Sequence, residues 1–321
     1  NKADPAFVPM WQRNLDTAYW FSILSDSQTA FVQYNRADID MEEESTAEFA
    51  DRLVRTIEEQ NIERLIIDLR WNRGGSIWRA RHLVHAVIRS ESINRRGQVF
   101  VLIRHNNFSA ATLTALAFET HTEAIFIGGP TGGKPISYGY LRFFTLPHTG
   151  VQIRYSTART MGENPHDTRP AVFPDIPVSF TREAFLAGRD PDLDTALNWK
   201  ERIPASDILA QAYEQGGIDA AIVRWTELFE QQMEYDCGPA QLNRFGYALL
   251  REEKTADAVR IFEKNVKIYP WYASLWDSLG EALLAEGKRY AAAEAYKRAF
   301  ELNGEFTRWR ELATEQEQKV Q

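Results

Sequence analysis

The first 200 residues alternate short apolar runs with amphipathic segments, the pattern of strands separated by helices. Four segments rich in apolar residues have the length of strands: 30–34, 64–69, 99–103 and 124–128. Segments with a helical period lie between them, at 46–60, 77–90 and 109–121. This alternation predicts right-handed βαβ crossovers and a largely parallel sheet. The segments 140–146 and 151–155 predict a hairpin around the turn 147–150.

The pattern changes near residue 200, where glycine and proline become rare and alanine-rich helical periodicity begins. An internal repeat follows, because Gly246 and Gly280 are about 34 residues apart. The same spacing separates Ala258 from Ala292 and Phe262 from Tyr296, and a weaker copy covers 208–229. A 34-residue period with small residues at the helix crossing resembles the tetratricopeptide repeat, although a pair of helical hairpins without repeat ancestry is the alternative. We predict an α/β domain in 1–200 and an all-α repeat domain in 201–321.

Composition limits the classes of function. The chain has 321 residues and a net charge of −8, which disfavours nucleic acid as a main partner because phosphate binding needs a basic surface. It has no apolar run long enough to span a membrane. The single cysteine, Cys237, excludes a disulfide framework, and the six histidines have no metal-ligand spacing. We therefore predict no metal and no cofactor. The chain begins at Asn1 with no visible signal peptide, so we expect a processed or truncated start.

Three turns that follow the buried strands carry unusual residues. The first, 68–75, contains the adjacent glycines Gly74 and Gly75, which allow the backbone to approach a ligand closely. The second, 107–111, places Ser109 at the start of a helix, and the third, 128–134, is a glycine-rich loop that ends in Lys134. Turns of this kind share one edge of a parallel sheet, where ligands usually bind.

These turns contain Asp-Leu-Arg, Asn-x-Gly-Gly, Ser-Ala and Gly-x-x-Thr-x-Gly-Lys, in that order. The ordered set resembles the carboxy-terminal processing (tail-specific) serine peptidases, and residues 14–197 fit that family. The resemblance implies a ClpP/crotonase-like α/β fold and an endopeptidase that cleaves polypeptides through an acyl-serine intermediate. It also favours a bacterial protein of the periplasm or a secreted one. The helical repeats would recruit a protein partner or the substrate.

By this resemblance Ser109 is the nucleophile and Lys134 is the general base. The amides of Ala110 and of Gly74 or Gly75 would form the oxyanion hole. A lysine accepts a proton only when it is neutral, so we expect burial to lower the pKa of its amine from about 10.4.

Two departures from the family pattern accompany Lys134. Tyr138 stands where the family has a glutamine that orients the lysine, and Pro135 replaces a glycine. His105, at the end of a strand, is an alternative base. Both departures favour the second hypothesis, a catalytically inactive peptidase-like adaptor that binds peptides.

Each of these residues also has a simpler interpretation. Ser109 could be an ordinary helix N-cap, and Lys134 a solvated loop residue. The third loop has the spacing of a phosphate-binding loop, but Pro135 occupies the position of the Ser or Thr that would hold Mg²⁺. We expect Asp68 and Arg70 to form a structural ion pair.

Overall fold

The computed structural model describes residues 8–25, 28–37, 44–162 and 164–308. These residues form two compact units. The α/β unit holds the described residues up to Pro165 together with Pro170–Lys200. The helical unit holds His166–Arg169 and the described residues from Glu201 onward.

The α/β unit begins with a 3₁₀ turn at Met10–Gln12. Its strands are β1 (Tyr19–Ile23), β2 (Thr29–Tyr34), β3 (Arg64–Asp68), β4 (Val99–Ile103), β5 (Ile125–Gly128), β6 (Ile136–Thr145), β7 (Gln152–Met161) and β8 (Ile176–Pro177). Its helices are α1 (Thr46–Glu59), α2 (Ile77–Arg89), α3 (Ala110–His121), α4 (Arg182–Leu186) and α5 (Pro191–Leu197). The predicted strands and crossover helices are confirmed to within a few residues.

Six strands form one mixed sheet in the order β1-β2-β3-β4-β5-β8. The pairs from β2 to β8 are all parallel, and β1 joins β2 in antiparallel register. In this register Ile67 lies opposite Val101, and Val101 lies opposite Phe126. The mostly parallel α/β fold predicted from the apolar runs is confirmed, and it brings the three turns of interest to one edge.

Side chains of the central strands alternate between two cores. On β3, Leu65 and Ile67 join the core covered by α1, α2 and α3, whereas Ile66 faces the other side. Phe100 on β4 and Leu193 on α5 belong to that second core. Both faces of the sheet are therefore buried, which explains why the middle positions of these strands are all apolar.

The strands β6 and β7 form a separate two-stranded antiparallel sheet between β5 and β8 in the chain. Each strand is ten residues long, so the hairpin extends beyond the predicted segments 140–146 and 151–155. Large apolar side chains remain exposed along it, including Tyr138, Leu141 and Ile153.

The helical unit contains five helices among the described residues, the first of which is broken. They are α6 (Ala205–Phe229), α7 (Pro239–Arg251), α8 (Thr255–Ile268), α9 (Ala273–Ala285) and α10 (Arg289–Leu302), and a short parallel pair joins β9 (Ile203–Pro204) to β10 (Tyr235–Asp236). Gly216 and Gly217 interrupt α6, so the weak third copy consists of two helical segments separated by a kink. None of the described helices is both long enough and apolar enough to cross a bilayer.

The repeat glycines allow neighbouring helices to approach closely. A Cβ at Gly246 would lie 2.6 Å from the Phe262 ring, and one at Gly280 would lie 2.5 Å from the Tyr296 ring. Each glycine thus faces the aromatic residue that follows it by 16 positions. The 34-residue spacing in the sequence reflects this repeated packing unit.

Candidate active site

Ser109 occupies a strained position between β4 and α3. It precedes the first residue of α3 and has φ +55° and ψ −126°, a conformation that non-glycine residues rarely adopt. Its side chain makes no capping hydrogen bond to any described residue, so the simple N-cap interpretation is wrong. A strained turn from strand to helix that leaves a serine hydroxyl exposed is one known way of presenting a nucleophile.

The backbone at Gly74 lies directly against this serine. Gly74 has φ +112°, and a Cβ there would lie 2.8 Å from Ser109 Cβ and 3.1 Å from the Ala110 amide nitrogen. No side chain fits in this space, so the turn after β3 reaches the serine only because a glycine is present. The Gly74 amide is already used, because it donates to Asn72 Oδ1 at 2.9 Å.

Two other amides remain available beside the serine. Within the described residues, neither the Gly75 amide nor the Ala110 amide donates a hydrogen bond. Gly75, Ser109 and Ala110 line the same cavity. The Ala110 amide also belongs to the first turn of α3, where the helix dipole favours negative charge. Of the two glycines that the sequence left open, Gly75 has the amide that is free to stabilise an oxyanion.

The cavity at Ser109 has a volume of about 430 Å³ and walls of mixed polar and apolar character. We call it the serine cleft. Trp78 from α2 and Tyr140 from β6 contribute walls and are 66% and 69% exposed. Leu113 and Leu141 add apolar surface. A cleft of this kind can accept an apolar group next to the serine hydroxyl.

Lys134, Tyr138 and His105 are exposed and are not among the residues that line the serine cleft. The expected burial of Lys134 is therefore wrong. The backbone next to this lysine packs closely against α3, because a Cβ at Gly133 would lie only 2.2 Å from Thr112 Oγ1. The next residue, Pro135, is also buried. The backbone on both sides of Lys134 is therefore packed, while the lysine side chain itself is exposed to solvent.

Asn107 connects the three turns and was given no role in the sequence analysis. It is fully buried, and its Oδ1 accepts from the Arg104 amide at 2.8 Å. Its Nδ2 donates to the carbonyl oxygens of Leu69 and Asn72 in the turn after β3. Its own carbonyl oxygen accepts from the amides of the third loop, Gly132 and Gly133, at 3.0 Å each. The only signal in the sequence is an asparagine two positions before the serine.

A buried ion network anchors the same edge of the sheet. As predicted, Arg70 pairs with Asp68, at 2.8 Å, and it also contacts Asp190 at 2.7 Å and Asp192 at 2.9 Å. Arg104 joins Asp192 at 2.6 Å. Burial raises the pKa of the Asp68 carboxyl, although Arg70 opposes this shift. For Arg70, burial lowers the pKa, but the carboxylates of Asp68 and Asp190 raise it by more. The Arg70 side chain therefore stays charged.

The sequence matches peptidase family S41 in two overlapping segments, residues 29–97 and 89–178. Together these segments include all three turns, so the resemblance inferred from the motifs is confirmed. No curated protein matches the sequence significantly.

Solved structures similar to each part of the chain were also found. A candidate peptidase from Parabacteroides merdae is 20% identical over 57% of this chain and 66% of its own, with a TM-score of 0.44. The photosystem II D1 C-terminal processing protease is 15% identical over 51% of this chain and 48% of its own, with a TM-score of 0.36. The Sgt2 tetratricopeptide repeat domain of Aspergillus fumigatus is 21% identical over 37% of this chain and 83% of its own, with a TM-score of 0.27. The chain thus spans about half to two thirds of the peptidases that it resembles.

Proposed function

Because residues 29–178 match peptidase family S41, we propose that this protein is a serine endopeptidase with Ser109 as its nucleophile. The observation that carries the proposal is the strained, uncapped Ser109 beside the unpaired amides of Gly75 and Ala110. A capping serine in an ordinary helix would have relaxed backbone angles and a bonded hydroxyl. Strain of this kind is found where a fold holds a functional group in place, here the hydroxyl that lines the cleft.

In the proposed reaction, Ser109 Oγ attacks the carbonyl carbon of the scissile peptide bond and transfers its proton to the neutral Lys134 amine. The resulting oxyanion accepts hydrogen bonds from the Gly75 and Ala110 amides. When the intermediate collapses, the C–N bond breaks and the protonated lysine gives its proton to the leaving amine. Water then attacks the acyl carbon while Lys134 accepts its proton, the ester C–O bond breaks, and the lysine returns the proton to Ser109 Oγ. The exposed lysine requires a bound peptide to exclude water from the loop before it becomes neutral.

The test is covalent labelling. A fluorophosphonate probe, which reacts with activated serines, should add one mass increment at Ser109 in the whole chain. The Ser109→Ala variant should take up none, and Ser179→Ala, which changes an exposed serine elsewhere in the α/β unit, should label as the natural protein does. Lys134→Ala should slow the cleavage of a fluorogenic peptide on the order of a hundredfold or more if the lysine is the base. Labelling that persists in Ser109→Ala would exclude this nucleophile.

A second function is favoured by the exposure of Lys134 and Tyr138. A peptidase-like domain that binds peptides without cleaving them needs no general base, so its lysine can stay exposed to solvent. In that case the natural protein takes up no probe, yet labelled peptides bind the serine cleft and Trp78→Ala weakens their binding. In either case we propose that the helical unit recruits a protein partner or the substrate through its repeat surface.

A further inference from the structure

A second cavity, of about 620 Å³, lies on the other side of Gly75 and Leu141, which line both it and the serine cleft. We call it the basic cavity, because Arg36, Arg73 and Arg154 all line it. The three arginines come from three separate parts of the chain, after β2, after β3 and on β7. The fold therefore gathers them, and no charge run in the sequence predicts the cluster.

None of the residues that line the basic cavity is acidic. Arg73 and Arg154 are exposed. Arg36 donates from one terminal nitrogen to the Asp16 carbonyl oxygen at 2.7 Å, and its buried Nε has no partner among the described residues. The contrast with Arg70 and Arg104 is clear, since each of those is paired with carboxylates.

One residue of the cavity lining, Asn35, has an unpaired buried acceptor. Asn35 is only 3% exposed, and its Nδ2 donates to the carbonyl oxygens of Asn14 and Thr17. Its Oδ1 has no hydrogen-bond partner in the described part of the chain. Because this oxygen is shielded from solvent, the three arginines that line the cavity set its ligand chemistry, and their charge fits an anionic group.

We propose that the basic cavity binds a carboxylate of the peptide held in the serine cleft, so that the protein selects peptides with an acidic group beside the bound apolar residue. The inference rests on the proposed function, because it concerns the substrate of the same site. Guanidinium groups match a carboxylate geometrically and stay charged at all physiological pH values. The carboxylate comes either from an Asp or Glu side chain or from the C-terminus of the peptide.

The experiment measures binding to the full chain carrying Ser109→Ala, so that its result does not depend on turnover. Fluorescein-labelled octapeptides with one apolar residue are made in matched sets: Glu or Gln at each other position, and a free or amidated C-terminus. We expect at least one acid to bind about tenfold more tightly than its neutral partner, equivalent to about 1.4 kcal/mol. The arm that shows the preference identifies the source of the carboxylate. Equal affinity for every matched pair would overturn the proposal, whether or not the protein is a peptidase.

Variants then assign the preference to the cavity. Arg154→Gln and Arg73→Gln should each reduce the acid preference at least threefold while leaving the affinity for the neutral peptide unchanged. Arg154→Lys should keep most of the preference, because it keeps the charge. Arg96→Gln, at an exposed turn outside both cavities, is the matched control and should change neither affinity. A preference that survives both cavity variants, or an equal loss for acid and neutral peptides, would overturn the assignment. Rising salt should lower the preference.

Discussion

Replacing Asn107 with alanine tests whether one buried side chain holds the candidate active site together. The change removes the acceptor of the Arg104 amide and the donor to the Leu69 and Asn72 carbonyl oxygens. The bonds from Gly132 and Gly133 go to the backbone of residue 107 and are kept. The substitution therefore detaches the first turn from the second without removing any proposed catalytic group.

The loss of stability in Asn107→Ala depends on which of its hydrogen-bond partners are left without another partner. The Arg104 amide loses its acceptor, which costs about 1–3 kcal/mol for a buried group. The Leu69 carbonyl oxygen loses less, because it still accepts from the Asn72 amide at 2.8 Å. With the packing lost at a fully buried site, we expect a total of about 3 kcal/mol in the free energy of opening the α/β unit. That is on the order of a hundredfold in the opening equilibrium constant.

Native-state hydrogen exchange read by mass spectrometry measures this free energy on peptides that cover β4 and β5, separately from the helical unit. The control is Asn198→Ala, which removes an exposed bond from Asn198 Nδ2 to the Asp194 carbonyl oxygen and should cost less than about 0.5 kcal/mol. Fluorophosphonate labelling of Ser109 should slow in Asn107→Ala and not in the control. If Asn107→Ala changes exchange by no more than the control does, Asn107 does not connect the turns.

Two further predictions concern the helical unit. Gly246→Ala forces a methyl group against the Phe262 ring, so the free energy of unfolding of the helical unit, measured in urea, should fall by about 1–3 kcal/mol. The control is Arg244→Ala, an exposed change on the same helix, which should alter this free energy by less than about 0.5 kcal/mol. An equal effect of both would show that the helices do not meet closely at this glycine. Burial raises the pKa of the Cys237 thiol to about 12, so iodoacetamide at pH 8 should modify it only in urea. As the pH rises from about 9 toward 12, the unfolded chain loses this proton before the folded one does, and the helical unit should therefore lose stability. Rapid alkylation of the native protein at pH 8 would contradict the thiol's burial.

The central sheet could be predicted because its strands are buried on both faces. A strand such as 99–103 then has no polar positions, and its apolar run marks its place directly. The hairpin was predicted too short because exposed strands have no such constraint. Tyr138 and Arg159, for example, pair across the hairpin through their backbones, and nothing in the polarity of the two residues predicts this pairing.

For the candidate site, the sequence could predict only those features that depend on residues close together in the chain. Ser109 and the two glycines stand in recognisable turns, but the choice of Gly75 depends on the bond that occupies the Gly74 amide. The exposure of Lys134 depends on how the third loop docks. The grouping of Arg36, Arg73 and Arg154 depends on three distant segments. Properties of this kind come from the folded chain, not from a local pattern.

The hairpin of β6 and β7 has a consequence for how the protein can change. Its two ends meet, because the Gly162 amide donates to the Pro135 carbonyl oxygen at 3.0 Å. It supplies Tyr140 and Leu141 to one cavity and Arg154 to the other, yet no strand of the six-stranded sheet depends on it. The element that lines both cavities is thus separate from the central sheet. If these cavities hold the substrate as proposed, substitutions in the hairpin would change selectivity while the strand order of the six-stranded sheet stays the same.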